Sequence, residues 1–200
     1  FERWLSQRLS HRLGPAEGRE DGVCAGVDFR SPTSLIAEVL GTRDADPWAP
    51  ETLMWPLLRV IDAVADEPWA RVLAEHLGHG IAGEEGELRR GRRLAVARRL
   101  AGLFASYAVQ RPALLADWET GGHGDGGGRD LPADLAWQPE LWRRVVAEVD
   151  APSPVQRQVL TVAALRAGVD GLDLPPRISL FGHTRLSAAE AELLAALGTH

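Results

Sequence analysis

The sequence predicts an α/β fold that is predominantly helical and carries a small parallel sheet. Three observations lead there. Apolar residues recur three and four apart through most ordered stretches, the spacing that lines one face of a helix. Two short apolar runs, Gly22 to Phe29 and Arg177 to Gly182, have the length and punctuation of strands. The second is followed by a turn and a helical pattern, the order of a parallel-sheet unit. At 200 residues the chain makes one large domain or two small ones. That is enough to bury a core without disulfide or metal staples. No apolar run approaches the roughly 20 residues that span a bilayer. No targeting segment is visible, so a cytoplasmic protein away from the membrane is expected. The chain opens at Phe1 and closes just after a helical pattern, as a piece of a longer protein would.

The elements follow in order. Phe1, Leu5, Leu9 and Leu13 share a helical face, and Gly14-Pro15 ends it. Ser31-Pro32 reads as an N-cap and first helical position for a helix to Leu40, stopped by Gly41. Pro50-Glu51 begins a helix through Trp55, Leu58 and Ile61, which Pro56 bends or opens. Pro68 to Leu77 is a short helix. Glu87 through Tyr107 reads as one long amphipathic helix with the stripe Val96, Leu100, Leu103, Phe104 and Tyr107, closed at Arg111-Pro112. Residues 113–118 form a helical turn, and 121–130 read as a flexible glycine-rich insertion. Trp137-Gln138-Pro139 opens a helix to Val149, Ser153-Pro154 another to Leu165, and Ser187 to Leu197 forms the last. Trp55, Trp69, Trp118 and Trp142 fall on apolar faces and are assigned to the core.

Net charge is -6, which argues against binding nucleic acid over the whole surface but leaves room for a local basic groove. All 22 basic residues are arginine, the side chain suited to bidentate pairing with carboxylate or phosphate. Six of them crowd between Arg89 and Arg99. Two explanations stand for this cluster: a solvated, salt-bridged helix surface, or contact with phosphate or a partner. Glu85 and Arg89 are placed as a helical ion pair.

Other chemistry is weak. The run 121–128 lacks the lysine, preceding strand and following helix of a phosphate loop. His76 and His79 are three apart but have no third ligand in register. His183 follows the second strand and lacks a partner. Cys24 stands alone, which excludes an internal disulfide and fits a small buried hydrophobe. No Gly-x-Ser-x-Gly elbow and no paired acids for proton transfer are found.

Several segments together resemble the N-terminal part of the RecC family, the gamma chains of the bacterial RecBCD enzyme (exodeoxyribonuclease V). They are Glu2-Arg3-Trp4-Leu5-Ser6-Gln7-Arg8-Leu9, Val27-Asp28-Phe29 with Ser31-Pro32-Thr33-Ser34, and Met54-Trp55-Pro56-Leu57-Leu58. Leu103-Phe104-Ala105-Ser106-Tyr107 with Arg111-Pro112 and Trp118-Glu119-Thr120-Gly121 carries most weight. Trp137-Gln138-Pro139-Glu140-Leu141-Trp142 and Leu174 through Gly182 complete the set, in family order across nearly the whole chain. The resemblance implies a superfamily 1 helicase-like (P-loop-type) domain over 1–200 that has lost ATPase function and lacks its opening strand. It implies RecB-like and RecD-like partner subunits, with ATP and Mg2+ held by those partners and no cofactor or catalytic residue here. Single-stranded and forked double-stranded DNA would be the ligands. The family's positions for reading the Chi sequence match here at Leu103 and Arg111. At Arg3, Ser31, Ala37, Gly102, Ala105 and Ser106 this sequence departs, so the strand channel is implied while the signal read there stays open. Leu103, Ser106, Tyr107, Arg111, Arg3 and Ser31 are the expected DNA-binding residues. Two other readings remain: an ATP-dependent helicase domain with its phosphate loop upstream, and a protein-interaction scaffold without DNA contact.

Overall fold

The computed structural model describes residues 2–13, 27–168, 174, 177–181 and 185–199. Among them the regular structure is helical: α1 (Glu2–Leu13), α2 (Pro32–Val39), α3 (Pro50–Ala63), α4 (Arg71–His76), α5 (Gly83–Arg90), α6 (Arg93–Gln110), α7 (Pro112–Glu119), α8 (Gln138–Val149), α9 (Pro154–Arg166) and α10 (Ala188–Leu197). The helix starts are written locally. Pro32, Pro50, Pro112 and Pro154 each occupy the first position of a helix, where a missing N–H costs nothing. Ser31, Ser153 and Ser187 cap α2, α9 and α10 by accepting from the backbone N–H three residues on. Gln156 and Glu190 return the bond to the N–H of Ser153 and Ser187, completing two capping boxes.

The expected parallel sheet is absent among the described residues. Arg177 to Phe181 and Val27 to Phe29 are irregular, and the remainder of the first strand candidate, Gly22 to Gly26, lies outside the described residues. The bridge between Gly124 and Asp130 is isolated and antiparallel. A strand is defined by its ladder partner, and an apolar run alone supplies none.

The long helix expected from Glu87 to Tyr107 is two helices, α5 and α6. They part at Gly91 and Arg92, where the Arg92 N–H turns tightly to the Arg89 carbonyl at 3.0 Å. Glycine there removes the side-chain support that would carry one helix through. A second glycine fixes α5 in place. A Cβ on Gly86 would meet the Ile81 carbonyl oxygen at 2.0 Å, so the helix seats on the preceding turn only because that position is bare. Pro56 lies inside α3 and is buried, and the helix continues past it to Ala63.

The main core is organised by five rings. Trp48 packs against Trp142 with centroids 5.2 Å apart. Trp142 meets Phe104 at 5.1 Å, Phe104 meets Tyr107 at 6.4 Å, and Tyr107 stands edge-on to Trp118 at 5.9 Å. This run joins the lead-in of α3 to α8, α6 and α7. Each polar atom in it has a partner. Trp48 Nε1 donates to the Pro152 carbonyl at 2.9 Å, Trp118 Nε1 to that of Gly124 at 2.9 Å, and Trp142 Nε1 to Glu119 Oε1 at 3.1 Å. Leu53, Leu57, Leu115, Leu141 and Val145 fill the space around the rings. A smaller core of Leu35, Val39, Val162, Leu165, Leu193 and Ala196 holds α2, α9 and α10 together. The paired Arg157 and Asp46, 2.9 Å apart, tie it to the main core beside Trp48.

Trp118 and Trp142 are fully buried and Trp69 is partly so, but Trp55 is 51% exposed on the outer side of α3. Periodicity misplaced it because the buried side of α3 runs through Leu53, Pro56, Leu57, Val60 and Ile61. Trp142→Ala should therefore cost about 3–5 kcal/mol, while Trp55→Ala should stay within about 1 kcal/mol. Thermal or denaturant unfolding of the two variants checks this, and similar losses would refute the assignment.

Candidate nucleic-acid interface

Helix α6 turns a buried face inward through Ala97, Leu100, Ala101 and Phe104. Leu103, Tyr107 and Arg111 follow at steps of four along one shoulder of that face. Leu103 and Tyr107 are half-buried against the core and Arg111 is exposed. Tyr107 donates its hydroxyl hydrogen to Gln138 Oε1 at 3.3 Å, and its ring rests on Phe104 and Trp118. Arg111 terminates the helix with φ -140 and ψ 54, out of the helical region, as the following proline demands. Its N–H still reaches the Tyr107 carbonyl at 2.8 Å. The Arg111 side chain forms no ion pair among the described residues.

Ser106 lies on the more open side of the same helix, half-buried. Gly102, one turn earlier, is bare: a Cβ there would meet nothing within 4 Å. The remaining expected residues stand apart. Arg3 is exposed on α1, the helix on which the Arg8 guanidinium lies 5.7 Å from the centre of the Trp4 ring. Ser31 spends its hydroxyl oxygen on the cap of α2, accepting from Ser34 N–H at 3.1 Å. Among the described residues, neither Arg3 nor Ser31 shares a hydrogen bond, ion pair or core cluster with Leu103–Arg111. The structure thus gathers Leu103, Ser106, Tyr107 and Arg111 on one helix and leaves Arg3 and Ser31 separate.

The arginine cluster divides. Arg89 pairs with Glu85 at 2.6 Å, the expected helical pair, and Arg93 with Asp62 of α3 at 2.8 Å. Arg90 donates to the Ile81 carbonyl at 3.4 Å. Arg92, Arg98 and Arg99 are exposed and without ion pairs among the described residues. Arg90 and Arg93 also edge a cavity of about 270 Å³ floored by Ile61, Val64, Leu73 and Leu77. At its mouth His79 Nε2 lies 2.8 Å from Asp66. No group of three metal-ligating side chains occurs among the described residues.

The glycine-rich run is hydrogen-bonded to its surroundings. Asp117 accepts from Gly124 N–H at 3.0 Å, and Arg143 donates to the Trp118 and Gly122 carbonyls at 2.9 and 3.2 Å. Asp125 accepts the N–H groups of Gly127 and Arg129 at 2.8 and 3.1 Å. Backbone bonds from Arg129 and Gly127 hold the Asp125 carboxyl below its ordinary value. Gln138 is the residue that sequence reasoning missed. It is 4% exposed and orients Tyr107. The signal was a polar amide between Trp137 and Pro139 at the start of an apolar helix.

A model of the RecC N-terminal domain matches residues 1–200. The chain belongs to this family. It is 62% identical over 200 residues to the RecBCD enzyme subunit RecC of Mycobacterium tuberculosis H37Rv, covering all of this chain and 18% of that protein. Against the RecBCD enzyme subunit RecC of Mycolicibacterium smegmatis it is 58% identical over 199 residues, covering 16% of that protein. The RecBCD enzyme subunit RecC of Escherichia coli K12 matches at 25% over 210 residues, covering 98% of this chain and 17% of that protein. The chain spans less than a fifth of the length of these relatives. No helix among the described residues is long and apolar enough to cross a membrane.

Within this RecC-family domain, Glu140 ties the start of α8 together. It accepts from Arg143 Nη2 at 2.8 Å and from Arg144 Nε at 2.9 Å. Burial pushes its carboxyl up, but the bonds from Arg144 and Arg143 and their charges outweigh this and hold it below the ordinary value. A depressed carboxyl stabilises the fold above its unfolded value and loses that contribution as pH falls through the folded one. Glu140→Gln should flatten the acid limb of the thermal midpoint below about pH 4.5, read by melting the wild type and variant from pH 7 to pH 3. Parallel curves would refute it.

Proposed function

We propose that this RecC-family domain is a non-catalytic, DNA-handling part of an ATP-dependent helicase–exonuclease that processes double-strand ends for recombinational repair. The observation that carries the reading is the whole-chain match to proteins named as RecC subunits of the RecBCD enzyme, at 62% identity in one relative. RecB-like and RecD-like subunits are the partners, and they hold the ATP and Mg2+. The chain itself contributes no catalytic group, adopts a helicase-like arrangement in the full protein, and works in the cytoplasm.

Single-stranded DNA from a forked end passes the shoulder of α6. Leu103 and the free edge of Tyr107 present apolar surface to a base, and Arg111 reaches a phosphate or a base edge. The geometry supports this at one point above others: Arg111 is a cation on a fixed backbone without a carboxylate to release first. Ser106 adds a hydroxyl beside it. Arg3 and Ser31 join the path only if the remainder of the complex brings α1 and the start of α2 toward α6. A Chi-like regulatory sequence is read where Leu103 and Arg111 stand.

A second reading, an interaction scaffold, is favoured by Arg92, Arg98 and Arg99, which are exposed and lack ion pairs among the described residues. Acidic partner surfaces would satisfy them. Arg111→Ala in the complete multisubunit enzyme separates the two. On the DNA-path reading, recognition of the regulatory sequence falls about 5–100-fold, a bidentate contact's worth, while unwinding of plain duplex persists. Unchanged recognition on every sequence tested would sink the role given to Arg111.

A further inference from the structure

The cavity of about 270 Å³ beside α3 and α4, at the junction of α5 and α6, takes no part in the proposed DNA path. Its floor is Ile61, Val64, Leu73 and Leu77, together with Ala70 and Ala74, all of them buried. Water on such a floor finds few hydrogen-bond partners, so an apolar group displaces it favourably. The volume limits what that group can be. An apolar cavity of about 150 Å³ takes up a benzene ring, and pockets for drug-sized molecules begin at roughly 300 Å³. One ring or one branched chain with a short polar end fits here, and a nucleotide does not.

The rim decides the charge of that end. It carries Asp62, Asp66, His79, Arg90 and Arg93. Four of these pair with one another: Arg93 with Asp62 at 2.8 Å, and His79 with Asp66 at 2.8 Å. The Asp66 side chain is 93% exposed, so the charge it has left faces water and is screened. Arg90 is the cation without a carboxylate among the described residues. Its head folds back over Gly86, where a Cβ would stand 3.1 Å from Nη1, and that nitrogen donates to the neutral Ile81 carbonyl at 3.4 Å. The bare glycine thus leaves room for a guanidinium at the lip with donors to spare. We propose that this cavity binds a small apolar carboxylate, with an aryl or branched aliphatic group on the floor and its acid on Arg90. A free organic acid offers that chemistry, and so does the apolar C-terminal residue of another chain. The proposal is independent of the DNA-path reading: Arg111 lies beyond the far end of α6, 18 residues long and so roughly 25 Å away.

The test titrates three probes of one size into the full-length polypeptide, alone and in its assembled complex, by saturation-transfer NMR: phenylacetate, benzyl alcohol and phenethylamine. Phenylacetate should bind the chain saturably and at least about tenfold more tightly than the other two. Arg90→Met should weaken phenylacetate about tenfold and leave benzyl alcohol unchanged. Ala65→Phe, at the half-buried lip, should block both. Phenylacetate binding that persists in the complex assigns the site to a free acid. Binding to the chain alone that assembly abolishes assigns it to a residue of another subunit. Absence of saturable phenylacetate binding to the chain alone overturns the proposal. So does tighter binding of phenethylamine, or a phenylacetate affinity that either Arg90→Met or Ala65→Phe leaves unchanged.

Discussion

The packing of Trp142 against both Trp48 and Phe104 is the contact on which the rest of this domain depends. Its centroids lie 5.2 and 5.1 Å from its two neighbours, inside the range where tilted rings attract. Large flat side chains bury more surface than aliphatic ones, and they also fix direction. A ring accepted between two others has few orientations left. Trp142 thereby sets how α8 crosses the start of α3 and the middle of α6. Its indole N–H then needs an acceptor in a dry place, and Glu119 at the end of α7 supplies it. One residue so positions three helices and demands a fourth. Tyr107 and Trp118 repeat the pattern beside it, with Gln138 and the Gly124 carbonyl as their polar partners.

This aromatic run also explains why the glycine-rich segment has a defined course near its start. Trp118 ends in a donor that the Gly124 carbonyl accepts, and Gly124 fits the turn because a Cβ there would crowd the Arg129 carbonyl oxygen at 3.2 Å. Asp117 takes the Gly124 N–H from the other side. Arg143, held by Glu140, closes the remaining carbonyls of Trp118 and Gly122. The charge network on α8 and the ring packing beneath it therefore act on the same loop. Leaving buried carbonyls unpaired would cost more than the surface ion pairs contribute.

Most helix positions were legible in the sequence because their signals are local. Ser31-Pro32, Ser153-Pro154 and Ser187 with Glu190 mark starts that the structure uses as caps. Proline at 50 and 112 does the same. What failed was non-local. An extended run such as Arg177 to Phe181 reads as a strand by composition, but strand formation depends on a partner elsewhere. The break at Gly91 was hidden because the arginines on both sides of it favour helix and no proline marks the stop. Trp55 was misplaced because one tryptophan beside Leu57 and Leu58 satisfies a periodic pattern from either side. The shoulder of α6 was readable as a stripe ending in Arg111, while Gln138, brought from α8, was not, since only the fold places it against Tyr107.

The two ends of α6 differ in what a ligand phosphate would have to displace. Ahead of the start, Arg89 on α5 and, at it, Arg93 already hold carboxylates, and a phosphate at either must break an ion pair before making one. At the far end no such exchange is needed. The Arg111 backbone is fixed twice, by its N–H to the Tyr107 carbonyl and by Pro112, which excludes the helical conformation for the residue before it. Tyr107 is itself held by Gln138 and two rings. The cost of ordering the backbone is thus met in folding, and only the side chain's rotamers remain to be lost on binding. On the proposed DNA path, a cation with an exposed head on an anchored backbone would contact a phosphate without releasing that anchor. The charge density at Arg89–Arg99 draws attention in the sequence, and Arg92, Arg98 and Arg99 there also lack ion pairs among the described residues, but Arg111 follows a turn whose Tyr107 is anchored by Gln138 and two rings.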